Sequence, residues 1–201
     1  MELVKKIDLI KFTKITLLIL LGSLLLTISA KIKIPFYPVP MTMQTFVVLF
    51  LGMSFGPKVA SATVALYLLE GIFGLPVFAN SPEKGIGLVY FTGPTMGYLI
   101  GFLVAAYLAG LLLSPGRKLI QYIKFLKFRN SYLTIFFSLL FSVSFIYILG
   151  LVWLGTLIGW DKPIFKLGAQ PFLLAELFKL TLLTILYPWI FKINTKLFGW
   201  S

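Results

Sequence analysis

The chain has 201 residues, of which 59% are hydrophobic and only 12% are charged. Typical soluble domains have about 45–50% apolar and about 25% charged residues, so the composition excludes a soluble globular enzyme. A disordered chain is excluded as well, because so much apolar surface would not stay in water. The chain also has no cysteine and no histidine, which removes thiol chemistry and the commonest general base and metal ligand.

Six apolar runs between charged residues and Pro or Gly breaks predict six transmembrane helices, since a bilayer core needs about 20 apolar residues per helix. The second run ends at Gly56-Pro57, where proline disfavours a continuing helix. Two alternatives compete: the first run could be a cleaved secretory signal, and the second and third could form one broken span. The expected spans, in one integral membrane domain over 1–201, are residues 12–30, 43–55, 59–73, 94–113, 132–158 and 171–191.

The basic residues favour the six-span arrangement, because Lys and Arg concentrate in cytoplasmic loops. With both termini inside, twelve Lys and Arg lie on the inner side and five on the outer side, and Lys179 lies within the last span. We therefore expect an all-α, multi-pass protein of the cell (inner) membrane with cytoplasmic N and C termini. The basic amphipathic stretch Arg117–Arg129 is expected to lie on the cytoplasmic surface of the lipid bilayer, and nucleic acid is not expected as a partner.

Polar residues at membrane depth are the first candidates for a functional site, because they are costly there and commonly mark a path or a site. Glu176 and Lys179 are three residues apart, so they share one face of the last helix and should point into the bundle. The functional interpretation is a ligand site in which the carboxylate accepts N–H bonds. The alternative is a structural ion pair whose lysine reaches the interface.

The loop after the first helix has three prolines in six residues and should be stiff and extended. Phe36 and Tyr37 stand between these prolines, and Gln44 follows as the next helix begins. This segment is either an aromatic lid over an external cavity or an interfacial belt of aromatic residues with a solvated glutamine.

The connection over residues 71–94 is long, and it is too apolar to be disordered, so it should fold back onto the bundle. Its Asn80 carries both hydrogen-bond donors and an acceptor, a combination that suits a cyclic urea or amide. The alternative is that Asn80 only caps a turn formed with Ser81-Pro82.

Three segments resemble the BioY biotin-transporter family in order and spacing: PFYPVPMTMQTF (35–46), YLLEGIFGLPVFAN (67–80) and GPTMGYLIGF (93–102). Members of this family are the substrate-binding S components of energy-coupling-factor vitamin transporters. The resemblance implies a six-helix S-component fold that binds biotin from outside, beneath the loops joining helices 1–2 and 3–4. It also implies an energy-coupling transmembrane protein and two ATPase subunits as partners, with biotin as the transported ligand and no cofactor.

The resemblance also implies a set of binding residues. Asn80 and Glu176 would satisfy the urea of biotin, aromatic side chains would cover its rings and chain, and Lys179 would pair with Glu176 or with the ligand carboxylate. We expect Asn80 and Glu176 to face one shared cavity. The expected ligand-binding residues are Asn80, Glu176, Lys179, Gln44, Tyr90, Phe36 and Tyr37.

The chain departs from the family pattern at three places. Glu176 stands where the family has an aspartate, and Met96 replaces a glycine near the expected mouth of the site. The small residues that would dock the transmembrane partner form only a partial pattern on helix 1, namely Gly22, Ser23, Thr27 and Ala30.

The residues leave other functions open beside biotin uptake. The chain has no G-x-x-x-x-G-K-S/T loop, so it is not expected to hydrolyse ATP by that route. An S component for a different vitamin, a solitary biotin facilitator and a structural subunit are alternatives. A membrane-embedded enzyme is a remote one, since the residues provide no evident acid/base pair.

Overall fold

The computed structural model describes residues 2–34, 37–114 and 132–198. Phe36 and the stretch Arg117–Arg129 lie outside the described residues. A two-stranded antiparallel hairpin pairs Lys33 with Thr42, and two 3-10 helices cover Gly87–Thr92 and Gln170–Phe172. The strands are β1 (Lys33–Ile34) and β2 (Met41–Thr42), and the helices are α1 (Glu2–Lys31), α2 (Gln44–Ile72), α3 (Met96–Leu113), α4 (Tyr132–Ile158), α5 (Ile164–Gly168) and α6 (Leu173–Phe198).

Helix α2 folds back on itself in its middle. Gly56 has φ 79° and ψ 171°, a conformation that favours glycine, and Pro57 has no N–H to continue the helical bonding. The Nε2 atom of Gln44 donates to the Tyr67 hydroxyl at 2.8 Å. A straight helix would hold these two residues about 35 Å apart. The two halves therefore run antiparallel, which excludes the single broken span.

The halves of α2, which we call α2a (44–55) and α2b (57–72), complete six helical passes. A Cβ at Gly52 would lie 2.6 Å from the carbonyl oxygen of Ala106, and one at Gly101 would lie 2.6 Å from the Cα of Ile146. Glycine thus lets α3 approach α2a on one side and α4 on the other. Helices α2a, α3 and α6 run in one direction, and α1, α2b and α4 run in the opposite direction.

The bundle has two distinct ends. The base carries the beginning of α1, the bend at Gly56, the end of α3 and the end of α6. The opposite end, which we call the cap end, carries the β-hairpin and the connection over residues 73–95. Both the first and the last helix therefore have their terminal ends at the base.

The surface of the bundle is apolar over most of its length. Within the described residues, five helical segments are long and apolar enough to cross a membrane, and α2 is one of them although it makes two passes. Large apolar side chains are exposed on the outward face of α1, among them Leu17, Leu20, Leu21, Leu24 and Ile28. Lipid suits such a face better than water does. The expected all-α, six-pass membrane fold is confirmed, with a short β-hairpin added to it.

The small residues of α1 face the interior of the bundle. Gly22 lies against Thr63 of α2b, and Ala30 is fully buried. Ser23 is also fully buried, and its hydroxyl donates to the Glu70 carboxylate. In this structure Gly22 and Ser23, two residues of the partial docking pattern, pack α1 against α2.

Candidate functional site

The shortness of α2a leaves room for a cavity at the cap end. At 1.5 Å per residue this half-helix covers about 18 Å, well short of the roughly 30 Å of a bilayer core. Its first residues therefore lie inside the bundle, level with the first turns of α6. The β-hairpin and the connection over residues 73–95 fill the space above it.

The cavity lies beneath this cap, between α2a, α3, α4 and α6. Its volume, taken as the space that the centre of a water molecule can occupy, is about 50 Å³. This is less than the roughly 300–1,000 Å³ of typical small-molecule sites, so a ligand of that size would have to widen the cavity. Its polar lining residues are Thr42, Gln44, Thr45, Tyr90, Thr95, Tyr98, Tyr147, Glu176 and Lys179, and its apolar ones are Val39, Pro40, Met41, Ala79, Leu99, Phe102, Ile146 and Phe172.

Glu176 and Lys179 form a buried ion pair in the wall of this cavity. The Lys179 ammonium lies 2.8 Å from Oε1 of Glu176, and the two side chains are only 5% and 7% exposed. The ammonium also donates to the Thr42 carbonyl at 2.7 Å and to the Thr45 hydroxyl at 2.9 Å. An ammonium has three protons, so all of them have partners. Of the two partners considered for Lys179, this structure contains the pairing with Glu176.

The Glu176 carboxylate keeps one unused acceptor. Its Oε1 accepts from the Thr45 hydroxyl and from Lys179, both at 2.8 Å. Tyr147 also interacts with this carboxylate. Its Oε2 is buried, yet no side chain or backbone group of the described residues forms a hydrogen bond with it. Buried polar atoms rarely stay unpaired, so this oxygen of a lining residue is a candidate acceptor for an N–H or O–H donor.

Gln44 lines the cavity and is held in place from two sides. Its Nε2 donates to the Tyr67 hydroxyl, and its Oε1 accepts from the Thr42 hydroxyl at 3.2 Å. The Tyr67 hydroxyl in turn donates to the Val77 carbonyl at 3.1 Å. The chain of hydrogen bonds ties α2a to α2b and to the connection that covers the site.

Tyr90 enters the cavity from the cap and rests on an aromatic cluster. Its ring stacks on Phe78 with centroids 4.6 Å apart, and Phe78 occupies the space that a Cβ at Gly71 would need. Burial raises the pKa of Tyr90 above its usual range. Its hydroxyl oxygen accepts from the backbone N–H of Asn80 at 3.4 Å.

Asn80 itself does not line the cavity. Its Oδ1 accepts from the Lys33 ammonium at 3.2 Å, and the same ammonium donates to the Ala79 carbonyl at 2.7 Å. The Lys31 ammonium donates to the Phe78 carbonyl of the same turn at 2.8 Å. The expectation that Asn80 and Glu176 face one cavity is wrong for this structure, because these lysines draw the oxygen atoms of the turn toward themselves. Its neighbour Ala79 lines the cavity instead.

Tyr37 also lies away from the cavity. Its side chain is 82% exposed, and the Lys84 ammonium sits 5.8 Å from the centre of its ring. Met96, the residue that departs from the family's glycine, is half-buried at the start of α3 and is not among the lining residues, although Thr95 and Tyr98 are.

Sequence reasoning missed five polar side chains of the cavity, namely Thr42, Thr45, Thr95, Tyr98 and Tyr147. Thr45 follows Gln44 directly, Tyr98 lies in the first turn of α3, and Tyr147 lies within the apolar helix α4. The Tyr98 hydroxyl donates to the Gly168 carbonyl at 2.8 Å, which anchors the segment before α6. The available signal was their polarity at membrane depth, the same signal that singled out Glu176.

Fold and cavity together define a multi-pass membrane protein with a partly polar cavity at one end. The sequence matches the BioY family over residues 4–196. The Biotin transporter BioY of Thermotoga maritima is 33% identical over 81% of this chain and 86% of its own length. The Probable biotin transporter BioY of Pyrococcus horikoshii shows the same identity and coverage. The chain belongs to the BioY family, which confirms the resemblance of its three segments.

A solved structure has the same fold. The crystal structure of the S-component for biotin from an ECF-type ABC transporter superposes with a TM-score of 0.68. The alignment covers 92% of this chain and 93% of that chain at 23% identity. The six-pass bundle with its cap is therefore an S-component fold.

Proposed function

We propose that this protein takes up biotin, which it binds in the cavity at the cap end. Membership of the BioY family supports the ligand, and the named relatives are biotin transporters. The observation that carries the proposal is the buried Oε2 of Glu176, which has no donor among the described residues and belongs to a residue lining the cavity. The protein is then a transport protein and not an enzyme.

The lining fits the chemistry of biotin. A ureido N–H of biotin would donate to Oε2 of Glu176, and Gln44 and Tyr90 would supply further polar contacts around the ring. Apolar side chains such as Phe102 and Phe172 would enclose the thioether ring and the valeryl chain. An analogue without the urea would leave Oε2 of the buried carboxylate without a donor, so the site would bind this analogue weakly.

The proposed binding site also includes Asn80, Phe36 and Tyr37, and the conditions under which they would contact biotin differ. Asn80 would reach the ligand only by leaving Lys33, and its backbone is already in place because Ala79 lines the cavity. Tyr37 would have to turn in from the surface as the cap closes over biotin, and Phe36 belongs to the proposal through the family resemblance alone.

The direct test is biotin binding by the purified protein in detergent, measured by calorimetry. Glu176→Gln should weaken binding by on the order of 100-fold, because it removes the charged acceptor and leaves Lys179 unbalanced. Glu70→Gln is the matched control: it makes the same change at a carboxylate that bonds to Ser23 outside the cavity, and affinity should stay within about twofold. Unchanged affinity in Glu176→Gln would refute the site.

The direction of uptake requires the cap end to face outward in the cell (inner) membrane. The chain has no cysteine, so single cysteines can report on each side. In intact cells, a membrane-impermeant maleimide should label Lys84→Cys at the cap end and leave Lys58→Cys at the base unlabelled. The reverse labelling pattern would contradict the orientation.

The proposed source of energy is a partner module: an energy-coupling transmembrane protein with two ATPase subunits. The S-component fold supports this assignment. Cells that express this chain with such a module should accumulate radiolabelled biotin against a gradient, and cells that express the chain alone should not. Equal accumulation by the chain alone would identify a solitary facilitator.

A further inference from the structure

The two oxygen atoms of the Glu176 carboxylate have very different surroundings. Oε1 accepts two hydrogen bonds, from the Thr45 hydroxyl and from the Lys179 ammonium, each at 2.8 Å. Oε2 accepts none from the described residues, although it is buried. The asymmetry fixes which oxygen is left for a ligand.

The Thr45 hydroxyl lies at the centre of this arrangement. Its oxygen accepts from Lys179 at 2.9 Å, and it donates its single proton to Oε1 of Glu176. An ammonium can only donate, so the hydroxyl proton cannot point toward Lys179 and must go to the carboxylate. The direction of both hydrogen bonds is thus determined by chemistry.

We propose that Thr45 is a positioning residue for ligand recognition. Its hydroxyl fixes the rotation of the Glu176 carboxylate, so that Oε1 stays engaged and Oε2 receives a ligand N–H. Thr45 acts through Glu176 and has no hydrogen bond to biotin of its own. The inference rests on the proposed binding of biotin.

The position of Thr45 supports this role. It is the second residue of α2, so its backbone is fixed by a helix, and its side chain reaches α6 across the wall of the cavity. Without the hydroxyl, Oε1 would lose the hydrogen bond from Thr45 and keep the one from Lys179, and the carboxylate could rotate to bring either oxygen to the lysine. Binding would then have to restore an orientation that Thr45 provides in advance.

The test compares Thr45→Val with Thr45→Ser. Valine keeps the shape of the side chain and removes the hydroxyl, and serine keeps the hydroxyl. For the purified full chain, Thr45→Val should weaken biotin binding by about tenfold, and Thr45→Ser should stay within about threefold of the wild type. Thermal unfolding of each variant checks that it is folded, and Thr45→Ala replaces the valine variant if valine prevents folding.

A second ligand separates positioning from simple stabilisation. Biotin methylated on a ureido nitrogen lacks one N–H, and the wild type should prefer biotin over it strongly. In Thr45→Val this preference should shrink by about tenfold, since the acceptor is no longer held for the N–H. An equal loss of affinity for both ligands in Thr45→Val, or no loss for either, would overturn the positioning role. No binding of biotin by the wild type would overturn the proposed function itself, and this inference with it.

Discussion

Helix α6 buries polar side chains near both of its ends, and the two ends differ in what these side chains bind. At the cap end Glu176 and Lys179 bond to each other and to Thr45, beside a cavity. Toward the base, the Tyr187 hydroxyl donates to the Leu113 carbonyl at 2.9 Å, and Nδ2 of Asn194 donates to the Ser54 carbonyl at 2.8 Å. None of these base residues lines the cavity.

The acceptors at the base are carbonyls at the ends of helices. Leu113 is the last residue of α3, and Ser54 lies two residues before the break at Gly56. Carbonyls in a last turn have no donor within their own helix. Tyr187 and Asn194 therefore cap α3 and α2a from the side and fasten the base of the bundle.

The comparison shows why buried polarity alone does not identify a site. At the base, the polar side chains of α6 satisfy backbone groups and do not line the cavity. At the cap end, the ion pair leaves one carboxylate oxygen unpaired next to a cavity. The Ser54 and Ser61 hydroxyls also lack a hydrogen-bond partner among the described residues, but they are neutral and do not line the cavity. An unused charged acceptor together with space is what distinguishes the ligand site.

The largest expected effect comes from removing the lysine of the ion pair. Lys179→Met would leave the Glu176 carboxylate buried without a counter-charge, and breaking a buried pair in this way costs about 3–5 kcal/mol. We expect a marked fall in the midpoint of thermal unfolding in detergent, and loss of biotin binding.

The double variant Glu176→Gln/Lys179→Met is the control for this prediction. Replacing both members removes both buried charges, so most of the lost stability should return although biotin binding should not. If the double variant unfolds as early as Lys179→Met, an uncompensated charge is not the cause of the instability.

A change in the cap should have the next largest effect. Gly71→Ala would place a Cβ inside the ring of Phe78, which is buried and stacks on Tyr90. We expect a loss of about 2–3 kcal/mol, within the range for overpacked cores. Biotin affinity should fall as well, because Tyr90 lines the cavity. In Gly71→Ala/Phe78→Leu the smaller side chain makes room, and both losses should largely disappear if steric overlap is their cause.

The order of the helices could be predicted because it depends on local signals. Charged residues bound the apolar runs, and Gly56-Pro57 marks the bend between α2a and α2b. The spacing of Glu176 and Lys179 put both on one face, and the structure has both facing the interior. Each of these inferences needs only neighbouring residues and the geometry of one helix.

The composition of the cavity could not be predicted in the same way. Helix α3 is apolar on all sides, so its pattern does not indicate which face Tyr98 occupies. Tyr147 and Thr45 meet Glu176 only through the packing of separate helices. The prediction that Asn80 faces the cavity is wrong for a related reason. Its partner Lys33 is distant in sequence, and the sequence pattern indicates only a charge on the outer side.

Asn194, which caps α2a at the base, should affect the stability of the protein but not its affinity for biotin. Asn194 is only 4% exposed, and Asn194→Ala would leave the Ser54 carbonyl without this donor. We expect a loss of about 1–2 kcal/mol, near the lower part of the range for an unpaired buried acceptor. Biotin affinity should stay within about twofold of the wild type. A larger drop in affinity would show that the base and the cap end are coupled, which would break the distinction between them.

The smallest expected effect is that of Tyr187→Phe. The change removes one hydroxyl and keeps the ring, so the Leu113 carbonyl loses its side-chain donor while the packing stays the same. The loss in the free energy of unfolding should be about 0.5–1.5 kcal/mol, the usual contribution of one hydrogen bond. Biotin affinity, measured on the same preparation by calorimetry, should not change. A loss of affinity without a loss of stability would mean that Tyr187 acts on the cavity through α6, and α6 would then be a single unit linking both ends rather than two separate sets of contacts.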